Sequence, residues 1–517
     1  MLRTRARPGP LGVLGRQVSL AVLMGMGLCV SMYGPALHAE IAGEHPTARA
    51  FFYSGTLLLA LLAAIAVASA RHRSSNVSRS HLVALLIAFT LLPVLAAIPL
   101  AQVVVDTRFL NLYVEMVSAA TTTGGSLYAP TRLNDSMHLW RAIVAWEGGL
   151  VIWVAAIAIL APLNLGGFEV AEGNITLRHG GAGPNAIRVR DRSIDPEARV
   201  WRALGTLGPI YIGLTLLLWA ILVTLGERSV TALIHAMSTM ATSGITDGTG
   251  MTTVGFGGEV VIALFLVFAL SRQTFSTDMN RERSRHLAND REIWTAGLVI
   301  AAVTVILFAR HWVGAFEIGD LSDTEAALGA LWGSAFTALS FLTTTGFESV
   351  HWDAAQDWSG LDAPTVLLLG LAIFGGGVAT TAGGVKLLRI YTLYEHGRRE
   401  MNLLVHPSAV AGMSGAFGRI PKGGTEGAWV FFMLFATSVA VVTLALTAAG
   451  LDFGAAVALG VACLTTTGPL AEIVLGGQGA LNSLGDGGKL VAAAAMVVGR
   501  LEALALIALL NPDFWRD

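Results

Sequence analysis

Ser340–Ser349 reads SFLTTTGFES: three threonines and a glycine enclosed by apolar residues. Such a cluster is poor helix material, and the chain contains it four times. AATTTGGSL spans Ala119–Leu127, MATSGIT spans Met240–Thr246 and CLTTTGPL spans Cys463–Leu470. Aligned on Gly124, Gly244, Gly346 and Gly468, every copy has threonine two positions earlier: Thr122, Thr242, Thr344 and Thr466. One position earlier stand Thr123, Ser243, Thr345 and Thr467. Six positions earlier, Ser118, Ser238 and Ser340 agree and Ala462 departs. Recurrence at intervals of a hundred-odd residues marks an internal repeat.

The surroundings of the four segments are those of a membrane protein. Of 517 residues, 54% are apolar and only 13% charged, about half the charge of an ordinary soluble chain. Runs such as FFYSGTLLLALLAAIAVASA, HLVALLIAFTLLPVLAAIPLA, IWTAGLVIAAVTVILFA and WVFFMLFATSVAVVTLALTAAG reach or approach the ~20 residues that span a bilayer as helix. About ten such runs occur, and the ten-residue alternation of barrel strands does not. The first run follows Arg3, Arg5, Arg7 and Arg16 and precedes PALHAE, so it reads either as a cleaved signal or as a retained span. A retained span fits the topology. Cys29 and Cys463 lie far apart in apolar segments, which argues against a disulfide framework or a metal cluster.

Arginines set the orientation. Arg71, Arg73 and Arg79, the group from Arg178 to Arg202, the group from Arg272 to Arg291, and Arg389 to Lys422 fall in alternate connections together with both termini. The other connections hold isolated cations such as Arg108, Arg132 and Arg228. The positive-inside rule then puts the termini in the cytoplasm, which needs an even number of spans. On that topology all four threonine–glycine segments lie on the outer side. Each follows an apolar stretch too short to cross: FLNLYVEMVSAA, VTALIHAMSTMA, ALWGSAFTALSFL and AAVALGVACL.

The expected fold is therefore an all-α polytopic membrane protein. Two N-terminal spans precede four repeats of span, short pore helix, loop and span, arranged around one central pore per subunit. The segments are 1–78, the N-terminal pair; 79–170, repeat one; 171–278, a cytoplasmic loop with repeat two; 279–400, repeat three; and 401–517, a cytoplasmic loop with repeat four. Four short helices ending at one axis would focus their negative dipole ends on a cation. Non-helical carbonyls at membrane depth are tolerable where they line a cavity, and rings of such carbonyls replace the hydration shell of a monovalent cation. The four loop cores contain no carboxylate, which disfavours a divalent site. A single TTTG beside a span reads as a capped turn; four in phase read as a pore.

Further segments carry a family likeness. WRAIVAWEGG at Trp140–Gly149, FGGGVATTAGGVKLLR at Phe374–Arg389, LVHPSAV at Leu404–Val410 and VGRLEALALIALLNPDFW at Val498–Trp515 join the four loops. Together they resemble the pore-forming membrane subunit of Trk-type potassium transporters, in the Trk/Ktr/HKT superfamily, from about Ala48 onward. The extra N-terminal pair is similar to the Trk branch.

The resemblance implies potassium uptake across the cytoplasmic (inner) membrane, with K+ as substrate and no cofactor in this chain. It implies Gly124, Gly244, Gly346 and Gly468 as selectivity-filter glycines, with Thr122, Thr123, Thr242, Ser243, Thr344, Thr345, Thr466 and Thr467 beside them. It also implies a gate in the third repeat, matched here by Gly375, Gly376, Gly377, Thr380, Thr381, Gly383 and Gly384, ending at Lys386. So many small residues inside a span favour an unwound or kinked helix, though close helix packing uses them too. Arg500 lies midway along the last span, where it either faces the pore or sits in a static ion pair with Glu502 or Glu147. Lys386 could instead snorkel to the cytoplasm. Glu115, nine residues before Gly124, either adds outer-mouth charge or holds its helix to a neighbour. Gly125 and Pro469 make the first and fourth loops differ beyond the filter. Glu147 stands where the family carries an apolar residue.

The family further implies a homodimer and a cytoplasmic nucleotide-binding regulatory ring; no feature points to nucleic acid. A sodium-permeable or ion-coupled cation symporter of the same fold is the alternative. An intramembrane enzyme would need convergent His, Asp or Ser groups; His235, His311, His351 and His406 are scattered near interfaces or loops, and no nucleotide-binding motif occurs. A carrier with inverted repeats is disfavoured by repeats that run in one direction.

Overall fold

The computed structural model describes residues 18–69, 77–163, 167, 196–250, 255–271, 290–318, 324–359, 365–406, 422–477 and 479–502, and among them the chain is helical with no strand. The N-terminal pair comprises α1 (Leu20–Ser31) and its continuation α2 (Tyr33–Ile41), then α3 (His45–Ser69). The first repeat follows as α4 (Val77–Thr90), α5 (Leu92–Val103), the short α6 (Phe109–Ala120) and α7 (Asp135–Ala155). The second is α8 (Pro196–Thr224), short α9 (Ser229–Ala241) and α10 (Gly255–Leu266). The third is α11 (Arg291–Ile318), α12 (Thr324–Leu342), α13 (Trp352–Ser359), α14 (Thr365–Phe374) and α15 (Leu387–Val405). The fourth is α16 (Lys422–Ala448), short α17 (Phe453–Thr465), α18 (Gly468–Leu475) and α19 (Asp486–Leu501).

Seven helices among the described residues are long and apolar enough to cross a membrane. Three more elements stand where the sequence predicts the inner spans of repeats two, three and four. Gly255–Leu270 is a shorter apolar helix, α14 stops at Phe374, and the described part of the last helix ends at Leu501. Seven of the expected ten crossings thus appear as long apolar helices among the described residues. The chain is a multi-pass helical membrane protein.

Local chemistry explains the element ends. Asn134 caps α7 by accepting from the Met137 N–H at 3.0 Å, and Asp452 caps α17 by accepting from the Gly454 N–H at 3.0 Å. Each short helix stops where its threonine cluster begins, as weak helix formers dictate. Two inner helices press their backbones against these ends. A Cβ on Gly148 of α7 would overlap the Ala120 carbonyl, and one on Gly499 of α19 would overlap the Leu464 carbonyl. Those contacts account for the glycines of WRAIVAWEGG and VGRLEA. The N-terminal pair is strapped to α7 through polar groups: His38 Nδ1 lies 2.8 Å from Ser136 Oγ, and Asn134 donates to Glu44 at 2.6 Å. Cys29 and Cys463 are both buried and free.

Candidate functional site: four loops and an intramembrane break

Each threonine–glycine loop is braced by its own short helix. The N–H one position before the glycine donates to the carbonyl five residues earlier: Thr123 to Ser118 at 2.8 Å, Ser243 to Ser238 at 2.9 Å, Thr345 to Ser340 at 2.9 Å and Thr467 to Ala462 at 2.8 Å. The bond needs only a backbone oxygen, so Ala462 serves as well as serine. Where the triplet is complete, its first threonine turns back on the helix. Thr121, Thr343 and Thr465 donate to Val117, Leu339 and Val461, and each hydroxyl lies 2.8–3.1 Å from that of the third threonine. Repeat two has Ala241 in that place and lacks the pair.

The middle threonine carries the geometry that defines the loop. Thr122, Thr242, Thr344 and Thr466 have φ of 54°, 51°, 57° and 56°, left-handed backbone that is costly for a β-branched residue. Four such positions, at about 1–3 kcal/mol each, persist only when the surroundings over-determine them. Gly124, Gly244 and Gly346 follow with φ of 80°, 67° and 85°. Gly468 does not. It opens α18 with Pro469 behind it, the position where proline's missing N–H costs nothing.

The four loops meet one another in chain order. A Cβ on Gly124 would overlap the Ser243 carbonyl, and one on Gly244 would overlap the Thr345 carbonyl. One on Gly346 would come within 2.8 Å of the Pro469 ring, and one on Gly468 would overlap Gly125. The circuit closes with the Gly468 N–H donating to the Thr123 carbonyl at 2.6 Å. Of the twelve residues singled out in these loops, eleven are buried and Gly244 is half-buried.

Beneath the loops lies the glycine-rich break. Helix α14 ends at Phe374 and α15 begins at Leu387, with Gly375, Ala379, Gly384 and Lys386 at φ of 72°, 58°, 76° and 82°. Middle-threonine hydroxyls reach it directly: Thr344 Oγ1 accepts from the Gly383 N–H at 2.7 Å, and Thr242 Oγ1 lies 3.2 Å from Thr381 Oγ1. The break is also held from below and beside. Gly377 N–H donates to the Ala269 carbonyl at 3.0 Å and Val378 N–H to Glu292 at 2.9 Å. Arg500 donates to the Thr381 carbonyl at 2.7 Å. Among the described residues no ion pair joins Arg500 to Glu502 or Glu147; its Nε and second Nη have no partner there. Glu502 pairs instead with Arg389 at 2.8 Å, and Glu147 faces the N-terminal helix near Cys29 and Ser31. Lys386 does not snorkel. It is buried and its ammonium donates to the Ala382 carbonyl, a backbone oxygen freed by the break.

The polar residues behind the loops are sorted by the structure as well. Glu115 is buried and lies 2.5 Å from Arg141 of α7, while accepting from Ser126 Oγ at 3.0 Å and Leu127 N–H at 2.7 Å. Of its two readings, the one that holds its helix to a neighbour matches these contacts. His235 is not in a loop: it is fully buried on α9, 2.5 Å from Glu227. Sequence reasoning missed this pair because Glu227 precedes the helix that carries His235. It also passed over Glu472, which follows the fourth loop and accepts from the Ser126 N–H of the first at 2.9 Å. Burial pushes the Glu472 carboxyl up to about 7, against that hydrogen bond, which pulls it down.

Comparison with known proteins agrees with this architecture. The TrkH family model, described as cation transport protein, matches residues 292–513, the third and fourth repeats. The chain is 28% identical over 510 residues to the Trk system potassium uptake protein TrkH of Salmonella typhimurium, covering 97% of this chain and 99% of that protein. It is also 28% identical over 505 residues to TrkI of Halomonas elongata, covering 96% of each. Over nearly its whole length the chain is similar to Trk system potassium uptake proteins. The crystal structure of the potassium transporter TrkH from Vibrio parahaemolyticus shares the Trk-type fold, with a TM-score of 0.78 over 97% of this chain and 99% of that one at 24% identity. Its coverage of both chains extends the fold likeness well beyond the two repeats that the family model matches.

Proposed function

We propose that the chain takes up potassium through one pore per subunit, with the four loops as its filter. The observation that carries this reading is the closed circuit of loops, each with the same left-handed threonine before its glycine. Backbone held that way frees carbonyl oxygens at the ends of four short helices, the chemistry that dehydrates a monovalent cation. K+ is the substrate at Thr122–Gly124, Thr242–Gly244, Thr344–Gly346 and Thr466–Gly468. The names of the relatives, all Trk system potassium uptake proteins, favour potassium over sodium. No enzyme activity enters the reading.

Gating falls to the break at Gly375–Gly384, with Lys386 and Arg500. The guanidinium sits at membrane depth, opposes a cation below the filter and holds the Thr381 carbonyl. Release of that bond would free the break to move aside. Uptake runs down the membrane potential, worth about 2.3 kcal/mol per charge per 100 mV. The N-terminal pair, 1–78, braces repeat one; repeats one to four run through 79–170, 171–278, 279–400 and 401–517. The chain works as a homodimer in the inner membrane with both termini cytoplasmic, docked on a cytoplasmic nucleotide-binding ring.

Rubidium flux into proteoliposomes, with Gly124, Gly244, Gly346 and Gly468 each changed to serine, tests the filter. Loss of flux or of rubidium-over-sodium preference is expected in every variant. Unchanged rate and preference in all four folded variants would refute the pore.

A further inference from the structure

The first and third loops leave the ring by the same local fold. Past Gly124, Ser126 Oγ accepts from the Tyr128 N–H at 3.1 Å; past Gly346, Ser349 Oγ accepts from the His351 N–H at 3.1 Å. Both turns are pinned by a carboxylate that takes the serine hydroxyl and the next backbone N–H. In repeat one this is Glu115, from the loop's own short helix, with Ser126 at 3.0 Å and Leu127 at 2.7 Å. In repeat three the matching helix position holds Thr337, whose hydroxyl reaches only the Ser349 N–H, at 3.3 Å. The carboxylate comes from elsewhere. Glu259, on α10 of repeat two and fully buried, accepts from Ser349 Oγ at 2.8 Å and Val350 N–H at 2.6 Å. A third bond, from Trp332 Nε1 of α12 at 2.6 Å, fixes the carboxylate against the short helix that the loop follows.

We infer that Glu259 is a positioning residue for the third filter loop, the counterpart of Glu115 supplied by the neighbouring repeat, and that it sets how well the pore distinguishes cations. The inference rests on the pore reading above. Groups that orient the atoms contacting a cation tune its binding without touching it. Glu115 shares its carboxylate with Arg141, whereas Glu259 spends its two oxygens on three neutral donors that all belong to repeat three. Truncating any of them frees the exit turn on one side of the ring while leaving the TTTG core intact.

The test is rubidium and sodium flux in proteoliposomes of the full chain. Glu259→Gln turns an NH2 toward at least one of the three donors and should lower the rubidium-over-sodium ratio by about fivefold, the scale of one net hydrogen bond. Ser349→Ala and Trp332→Phe keep the carboxylate and each remove one of its three bonds, Ser349→Ala losing the bond from the His351 N–H as well, so both should shift the ratio in the same direction by less. Monodisperse elution and an unchanged melting temperature identify the folded variants. A wild-type ratio in folded Ser349→Ala and Trp332→Phe overturns the positioning role, whatever Glu259→Gln does. If the four glycine-to-serine variants also leave flux and preference unchanged, the pore reading fails; if Gly346→Ser destroys them while the Glu259 set does not move, only this inference fails.

Discussion

Two kinds of non-helical backbone stand among the described residues, the four loops and the glycine-rich break, and they are held differently. The four threonine–glycine loops are each braced by a bond to a carbonyl of the preceding helix and by a neighbouring loop, and three of them also by a threonine pair. The break at 375–386 adds to its own backbone bonds, Val385 N–H to Ile373 and Lys386 N–H to Phe374 among them, four borrowed contacts from Ala269, Glu292, Thr344 and Arg500 on four other elements. Backbone braced locally keeps its shape when neighbours shift. Backbone tethered by distant elements moves when they move. That contrast fits a rigid selector above a movable barrier, and it can be broken experimentally at either end.

The largest effect is expected at the rigid end. Gly124→Ser puts a side chain into the Ser243 carbonyl at a φ of 80°, and rubidium flux should fall to background in a protein that still inserts and elutes normally. Next comes the charged tether on the break. Arg500→Ala removes the bond to Thr381 and a buried charge, so basal flux without any regulatory partner should rise about tenfold, the scale of one charged hydrogen bond. A wild-type leak in that variant would show that the tether does not restrain the break. Glu292→Gln weakens the bond to the Val378 N–H without removing it, and should raise basal flux by about two- to threefold. An effect of Glu292→Gln equal to that of Arg500→Ala would show that the break is one cooperative latch.

The smallest effect should appear with external pH. Glu472 is neutral well below its pKa of about 7 and ionised above it, and the ionised form places a negative charge beside the first loop. Its electrostatic neighbours are Arg141, Glu115 and Glu348. Flux should therefore be higher at pH 8 than at pH 6, by about twofold, and Glu472→Gln should flatten the profile at the lower value. A profile of unchanged slope in Glu472→Gln would assign the pH response to another group.

Much of this arrangement can be read along the chain, because each loop is a local object. Apolar length gives the spans, the TTTG register gives the loops, and glycine density between Phe374 and Leu387 gives the break. Pro469 signals that the fourth loop departs, and it does so by starting a helix. Partners that arrive through packing are not legible. Glu259 serves a loop in another repeat, Glu502 turns to Arg389 rather than Arg500, and Lys386 finds a carbonyl that exists only because the helix is broken. Position along a span says how deep a charge lies, not what stands opposite it.

The closed circuit of unequal loops has one further consequence. A ring of loops assembled from four copies of one chain must alter all four quarters with every mutation. Here each quarter is written separately, so Ser243 can replace a threonine in one, and Pro469 can start a helix in another, without touching the rest. A duplicated ring inside a single gene is free to drift away from symmetry one side at a time.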